Sequence, residues 1–108
     1  MEKEIKPQVV SEKVLGLLHL ARKAGALEFG FDACQRACMR GKVKLILTAR
    51  DLSGRQKQSL KTLAEANNVK YREFGSKQML GNAFNLRDVG VISVKDRNFA
   101  SGIVSKLI

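Results

Sequence analysis

The sequence predicts an α/β protein, a three-layer α/β/α sandwich around a central four-stranded mixed sheet. Segments of helical and of strand period alternate along the whole chain, the pattern of helices laid over a sheet. The run "VKLILTARD", bounded by Gly41 and "DLSG", is almost continuously apolar, which marks a strand covered on both faces. At 108 residues and 44% hydrophobic, the chain can fill one compact core and is too small for two. We therefore read a single domain over residues 11–108 behind an N-terminal arm, residues 1–10.

The elements follow in order. Ser11 is a good N-cap for a first helix with Val14, Leu17, Leu18 and Ala21 on its inner face, closed by "RKAG" with cations and Gly25. "ALEF" is a short extended piece. The stretch "EFGFDACQRACMRGK" then enters a second helix, where Asp32 and Gln35 form a capping-box-like pair, and leaves it at Gly41. After the buried strand, Ser53 starts a helix to about Asn67, with Leu60, Leu63 and Ala64 inward. "VKYREF" alternates as a strand, and Ser76 opens a helix carrying Met79, Leu80 and Ala83. "VGVISV" is the last strand. Asn98 to Leu107 is the last helix, with Phe99, Ile103 and Leu107 on its apolar side.

Charge narrows the function. Twenty Lys and Arg against ten Asp and Glu leave a net charge of +10, a bias that attracts polyanions, and nucleic acid leads among them. Eight of the cations (Arg36, Arg40, Lys42, Lys44, Arg50, Arg55, Lys57 and Lys61) lie between residues 36 and 61 beside one acid, Asp51. A solvated, solubilising surface is the competing explanation. No apolar run approaches the ~18 residues of a membrane span. The start "MEKEIKPQVV" has acids and a proline where a signal peptide has a cationic start and an apolar core, so a cytoplasmic protein is expected.

Catalytic motifs find little footing. His19 has no acid or nucleophile at hydrogen-bonding spacing, and with Cys34 and Cys38 it makes too small a set for zinc. The two cysteines, four apart on one helix, hold their Cβ atoms about 5 to 6 Å apart, beyond the roughly 3.5 to 4.5 Å of a disulfide, so two thiols are expected. A thiol enzyme requires Cys34 to be exposed near its helix N-terminus, where its pKa falls; a buried Cys is the commoner outcome. No glycine-rich phosphate loop follows a strand, so no nucleotide cofactor is expected. With no tryptophan and one tyrosine, an aromatic stacking platform has little support.

What remains is the second helix. Its start near Gly30 offers free backbone N–H groups and a positive dipole end, and glycine admits close approach. Asp32 and Arg36 share a face, with Arg40 one turn on and Lys42 and Lys44 continuing past the helix as a basic track. The alternative is a plain capped helix in which Asp32 caps and Arg36 pairs with it.

The order "LGLLHLARKAG", "GFDACQRA", "GKVKLILTARDLS", "NNVKYREFGSKQMLGNAF", "VGVISVKDRNFASGI" resembles the kink-turn RNA-binding ribosomal protein family, which includes the archaeal large-subunit seven-Ae and thirty-e proteins. It is most similar to the small bacterial YlxQ-like branch. The resemblance spans about Val14 to Ile103 and rests on the order of blocks. It implies the same sandwich and non-catalytic binding of structured RNA, a kinked internal loop or ribosomal RNA. In RNA-binding members the glycine is followed by a small residue, Asn, Glu, two variable residues and Lys. Gly30 matches the glycine; Asp32 stands in place of Asn, Ala33 of Glu and Arg36 of Lys. Asp32 accepts but does not donate a hydrogen bond, and Ala33 has no polar group. The resemblance also implies a second contact at "NLRDVG", through Leu86, Arg87 and Val89, with Gly81 allowing a close turn. Arg40, Lys42 and Lys44 add attraction independent of sequence. A protein-interaction adaptor on the same fold is the alternative, favoured by the replaced Asn and Glu.

Overall fold

The computed structural model describes residues 7–107. Nine elements follow one another: α1 (Pro7–Lys23), β1 (Leu27–Phe29), α2 (Phe31–Met39), β2 (Leu45–Thr48), α3 (Gly54–Ala66), β3 (Lys70–Glu73), α4 (Lys77–Ala83), β4 (Val91–Val94) and α5 (Arg97–Lys106). The sheet order is β1-β4-β2-β3. β4 runs antiparallel to both β1 and β2, and β2 and β3 are parallel, so the sheet is mixed as the sequence predicts.

Pleating splits the core in two. Leu45, Leu47, Ile92 and Val94 face a cluster with Val14 and Leu18 of α1, Leu80 of α4 and Ile103 of α5. Ile46 and Val91 face the other side, with Cys34 and Cys38 of α2 and Leu60 and Ala64 of α3. All eight residues of β2 and β4 are buried, as the continuous apolar runs require of strands covered on both faces. Thr48 is buried because its hydroxyl is 2.7 Å from the Tyr71 hydroxyl.

The helix ends are built from local signals. Ser53 and Ser76 cap α3 and α4, each accepting from the backbone N–H three residues on, at 3.2 and 3.1 Å. The last helix differs from expectation: Asp96, not Asn98, is its cap, with Oδ1 accepting from Phe99 N at 2.9 Å, and the helix begins at Arg97. α1 also starts earlier than Ser11. Pro7 to Val10, assigned to the arm from sequence, form its first turn, where a proline's missing N–H costs nothing. Residues 1–6 of that arm lie outside the described residues.

Four helices close with one device. After α1, α2, α3 and α4, residues Gly25, Gly41, Asn68 and Asn85 take φ of 71°, 71°, 55° and 55°. The next residue's N–H returns to a carbonyl five back, as in Lys42 N to Ala37 O at 2.9 Å. After α4 the same bond joins Leu86 N to Gly81 O at 2.8 Å and folds the loop hard onto the helix. A Cβ on Gly81 would collide with the carbonyl of Arg87, so the close turn requires glycine there.

The strands define two ends of the sheet. At one, Gly30 N bonds to Val91 O and Ala49 N to Gly90 O, both at 2.9 Å; at the other, Lys44 N bonds to Val94 O and Lys95 N to Ala26 O, both at 2.8 Å. Four-residue strands put these ends about 13 Å apart, and α2 runs from the first toward the second.

Two substitutions test this packing with opposite signs. Gly81→Ala should lower stability by at least about 1–3 kcal/mol, because backbone blocks the methyl. Gly16→Ala, in the exposed middle of α1 with nothing within 4 Å of its Cβ, should raise stability by about 0.5–1 kcal/mol. Urea unfolding midpoints read both, and a tolerated Gly81→Ala would overturn the account of the loop.

Candidate nucleic-acid interface

Gly30 joins strand to helix. Its N–H makes the last bond of the β1–β4 ladder, and its carbonyl accepts the first bond of α2, from Cys34 N at 3.1 Å. Doing both in one residue requires φ 99° and ψ 159°, a region that only glycine occupies without strain. A Cβ there would meet nothing within 4 Å, so the site faces open space.

No side chain caps this helix, in contrast to α3, α4 and α5. Asp32 corrects the sequence expectation. Because the helix begins at Phe31, Asp32 is already its second residue, so the predicted pairing with Gln35 as a capping box does not form. The Asp32–Arg36 ion pair is likewise absent among the described residues. The first-turn N–H groups of α2, which no helix can satisfy internally, therefore face outward without a side-chain acceptor.

Two clefts flank α2. One, of about 270 Å³, lies at Gly30 and is walled by Phe31, Leu52, Gln56, Lys77 and Gly90. The other, of about 440 Å³, runs beside the helix between Ala33, Arg36, Arg40 and Lys42 on one side and Glu28 and Lys95 on the other. Lys95 and Glu28 are paired at 3.4 Å, leaving Arg36, Arg40 and Lys42 as uncompensated charges in the groove.

The structure therefore gathers some of the predicted residues and separates others. Ala33, Arg36, Arg40 and Lys42 share one groove, and Gly30 opens the neighbouring cleft. Lys44 stands at the far end of the sheet in a third hollow, so the predicted basic track is not a single line from Gly30. Val89 is a correction: it is 6% exposed and belongs to the core, because its N–H bonds back to Lys77 O at 3.0 Å and turns the side chain inward. Of the three predicted loop residues, Leu86, 41% exposed, and Arg87 are accessible, beside the likewise exposed Asn85 and Asp88.

The model of the ribosomal protein L7Ae/L30e/S12e/Gadd45 family matches residues 12–104. The chain belongs to that family. Among solved structures it is similar to a protein of unknown function from Bacillus halodurans, at 29% identity and TM-score 0.84, over 88% of this chain and 96% of that one. It is also similar to a 15.5 kD RNA-binding protein of Giardia lamblia, at 27% identity and TM-score 0.75, over 90% and 86% of the two chains.

In this L7Ae/L30e/S12e/Gadd45 family member, sequence reasoning missed Lys77 and Lys95. Lys77 reaches the Gly30 cleft because Asp51 Oδ1 accepts from its backbone N–H at 2.9 Å, a contact 26 residues apart that no local pattern signals. Lys95 follows the last strand, where pairing with Ala26 sets it beside the α2 groove.

The nucleophile route closes here. Cys34 and Cys38 are free thiols, both fully buried. Burial pushes Cys34 up from 9.0 to about 11, with Cys38 adding to the rise, and burial raises Cys38 as well. The neighbouring Ser93 hydroxyl pulls Cys34 the other way, more than Cys38 pushes it up but not enough to offset burial. His19 is no closer to acid–base chemistry: its ring packs at 4.9 Å on Phe84, which Arg22 also covers while donating to the Phe84 carbonyl at 2.9 Å. Among the described residues no three His, Cys, Asp or Glu side chains gather as metal ligands.

Both thiols should resist DTNB in the native protein at pH 7.5 and react fully once unfolded; rapid native labelling would restore Cys34 as a nucleophile. The sign of the shift also fixes a pH effect. A thiol raised in the folded state contributes stability that is complete below its unfolded value near 9 and is lost as pH climbs through about 11. Gly30→Ala should lower stability by about 1–3 kcal/mol through backbone strain alone, read as a lower thermal midpoint with an unchanged far-ultraviolet spectrum.

Proposed function

We propose that this protein is a non-catalytic RNA-binding protein that holds structured RNA at the start of α2 and prefers a kinked internal loop to a regular duplex. The observation that carries the reading is the uncapped N-terminus of α2, set on a glycine that faces open space. Outward N–H groups at a positive dipole end donate to phosphate oxygens or base acceptors. Arg36 lies one turn along and supplies a planar donor for phosphate or a guanine edge. Lys77 adds charge beside Gly30, and Arg40 and Lys42 extend the attraction without reading sequence.

The remaining residues refine the contact. Asp32, exposed in the first turn, accepts from a base amino or imino group. Ala33 offers only surface. Leu86 and Arg87 close over an unstacked base from the loop whose last residue, Gly90, lines the Gly30 cleft. Family membership and the RNA-binding protein of Giardia lamblia support an RNA partner, ribosomal RNA included.

The test is a titration against a labelled kink-turn RNA and a fully paired duplex of equal length, at low and physiological salt. The kinked RNA should bind at least tenfold more tightly, a difference of about 1.4 kcal/mol, and Arg36→Glu should abolish that preference. Equal binding of the two RNAs, fading together with salt, would remove shape reading and leave α2 as a plain basic helix.

A further inference from the structure

The end of the sheet farthest from Gly30 carries a second concentration of charge. Lys44 precedes β2, Lys70 opens β3 and Arg97 begins α5, and the three converge on one hollow of about 240 Å³. Asn68 and Ser101 add polar groups, and among the described residues Ala100 is the one apolar residue of the wall and no carboxylate lines it. The nearest acid in sequence, Asp96, is turned onto its own helix as the cap of α5.

Among the described residues nothing pairs with these cations. Among the described residues, Lys57 and Lys95 each hold a glutamate, at 3.3 and 3.4 Å, whereas Lys44, Lys70 and Arg97 have no ion-pair partner and donate no side-chain hydrogen bond. Their placement is electrostatically unfavourable. Three like charges share one hollow, and Arg97 sits in the first turn of a helix, where the dipole repels a cation. Such an arrangement is relieved by an external polyanion.

The hollow shares no lining residue with the groove beside α2, but the two come close in sequence at their Lys44 and Lys42 ends. Lys42 and Lys95 line that groove, and each stands two residues from a cation of the hollow, Lys44 and Arg97. A polyanion long enough to lie along Arg36, Arg40 and Lys42 and pass the far end of the sheet, a span of about 13 Å along the strands, would reach these cations. An acidic peptide would find almost no apolar surface there to anchor it; a nucleic-acid backbone needs none.

We propose that Lys44, Lys70 and Arg97 form a second RNA-backbone contact, which grips the phosphates of a helix flanking the segment held at the start of α2. It rests on the RNA reading of α2 for the identity of its partner. The protein is then a two-point clamp: shape is read at the Gly30 end, and a flanking helix is held at the Lys44 end.

The experiment compares a kink-turn RNA with short arms and the same RNA with each arm in turn lengthened by about ten base pairs, roughly one turn of duplex. Wild type should bind one of the lengthened RNAs more tightly than the short one. The triple variant Lys44→Glu/Lys70→Glu/Arg97→Glu should lose at least tenfold more affinity for that lengthened RNA than for the short one, with its salt slope on the lengthened RNA reduced by about 2 to 3. The milder Lys44→Gln/Lys70→Gln/Arg97→Gln, checked by thermal unfolding, serves if charge reversal impairs folding. A lengthened RNA that binds wild type and triple variant alike overturns the proposal. Failure of the α2 reading is separate and visible: Arg36→Glu would then leave the short RNA unaffected, whatever the triple variant does with the long one.

Discussion

Burial of β2 and β4 on both faces is the constraint from which the rest follows. Their eight residues are all buried, so each face of the sheet must be roofed by helices with apolar undersides. Each buried Leu, Ile or Val contributes about 1.5–3 kcal/mol, far more than the ≈ 0–1 kcal/mol of a surface ion pair. The charges are therefore driven to the ends and outer faces of the sandwich. α2 shows the consequence most directly: Cys34, Ala37 and Cys38 go inward, and Asp32, Arg36 and Arg40 go outward. The same packing that buries the two thiols sets the basic groove beside the helix.

Gly30 converts that packing into an accessible helix end. The β1–β4 ladder and the first bond of α2 meet within one residue, and the φ this demands excludes a side chain that could have served as a cap. The other helices of the second half start on serine or aspartate and satisfy part of their first turn internally. An uncapped start thus comes from the tightness of the β1–α2 connection, with no loop between strand and helix to supply a capping residue. The site is a product of topology as much as of its residues.

That difference explains what the sequence made legible. The two buried strands, the Ser53 and Ser76 caps and the glycine stops were readable because each is a local pattern: an apolar run, an oxygen three residues before a free N–H, a residue able to take positive φ. The Asp32 cap was misread because the same pattern of an acid followed three residues later by Gln fits either a cap or a second helical position, and only the strand pairing of Gly30 decides between them. Val89 looked like loop surface for the same reason; its inward turn depends on Lys77, twelve residues away in sequence. Lys95 and the separation of Lys44 from Gly30 depend on sheet order, which no local spacing encodes. The composition of the candidate site was legible and its partition into separate clefts was not.

Asp32 also bears on what the α2 start is suited to hold. A carboxylate in the first turn already answers the positive end of the helix dipole, so it supplies without a hydrogen bond part of the stabilisation a cap would give. An incoming phosphate at the same spot would meet that negative charge at close range, whereas a base amino or imino group would meet an acceptor. On the proposed RNA reading, phosphates are better served by Arg36, Arg40 and Lys42, one turn or more away and along a groove where Lys95 is already neutralised by Glu28. Division of labour along α2, base edges at its start and backbone along its length, is thus what its charge order favours: acid first, then three cations with no further acid before Lys44.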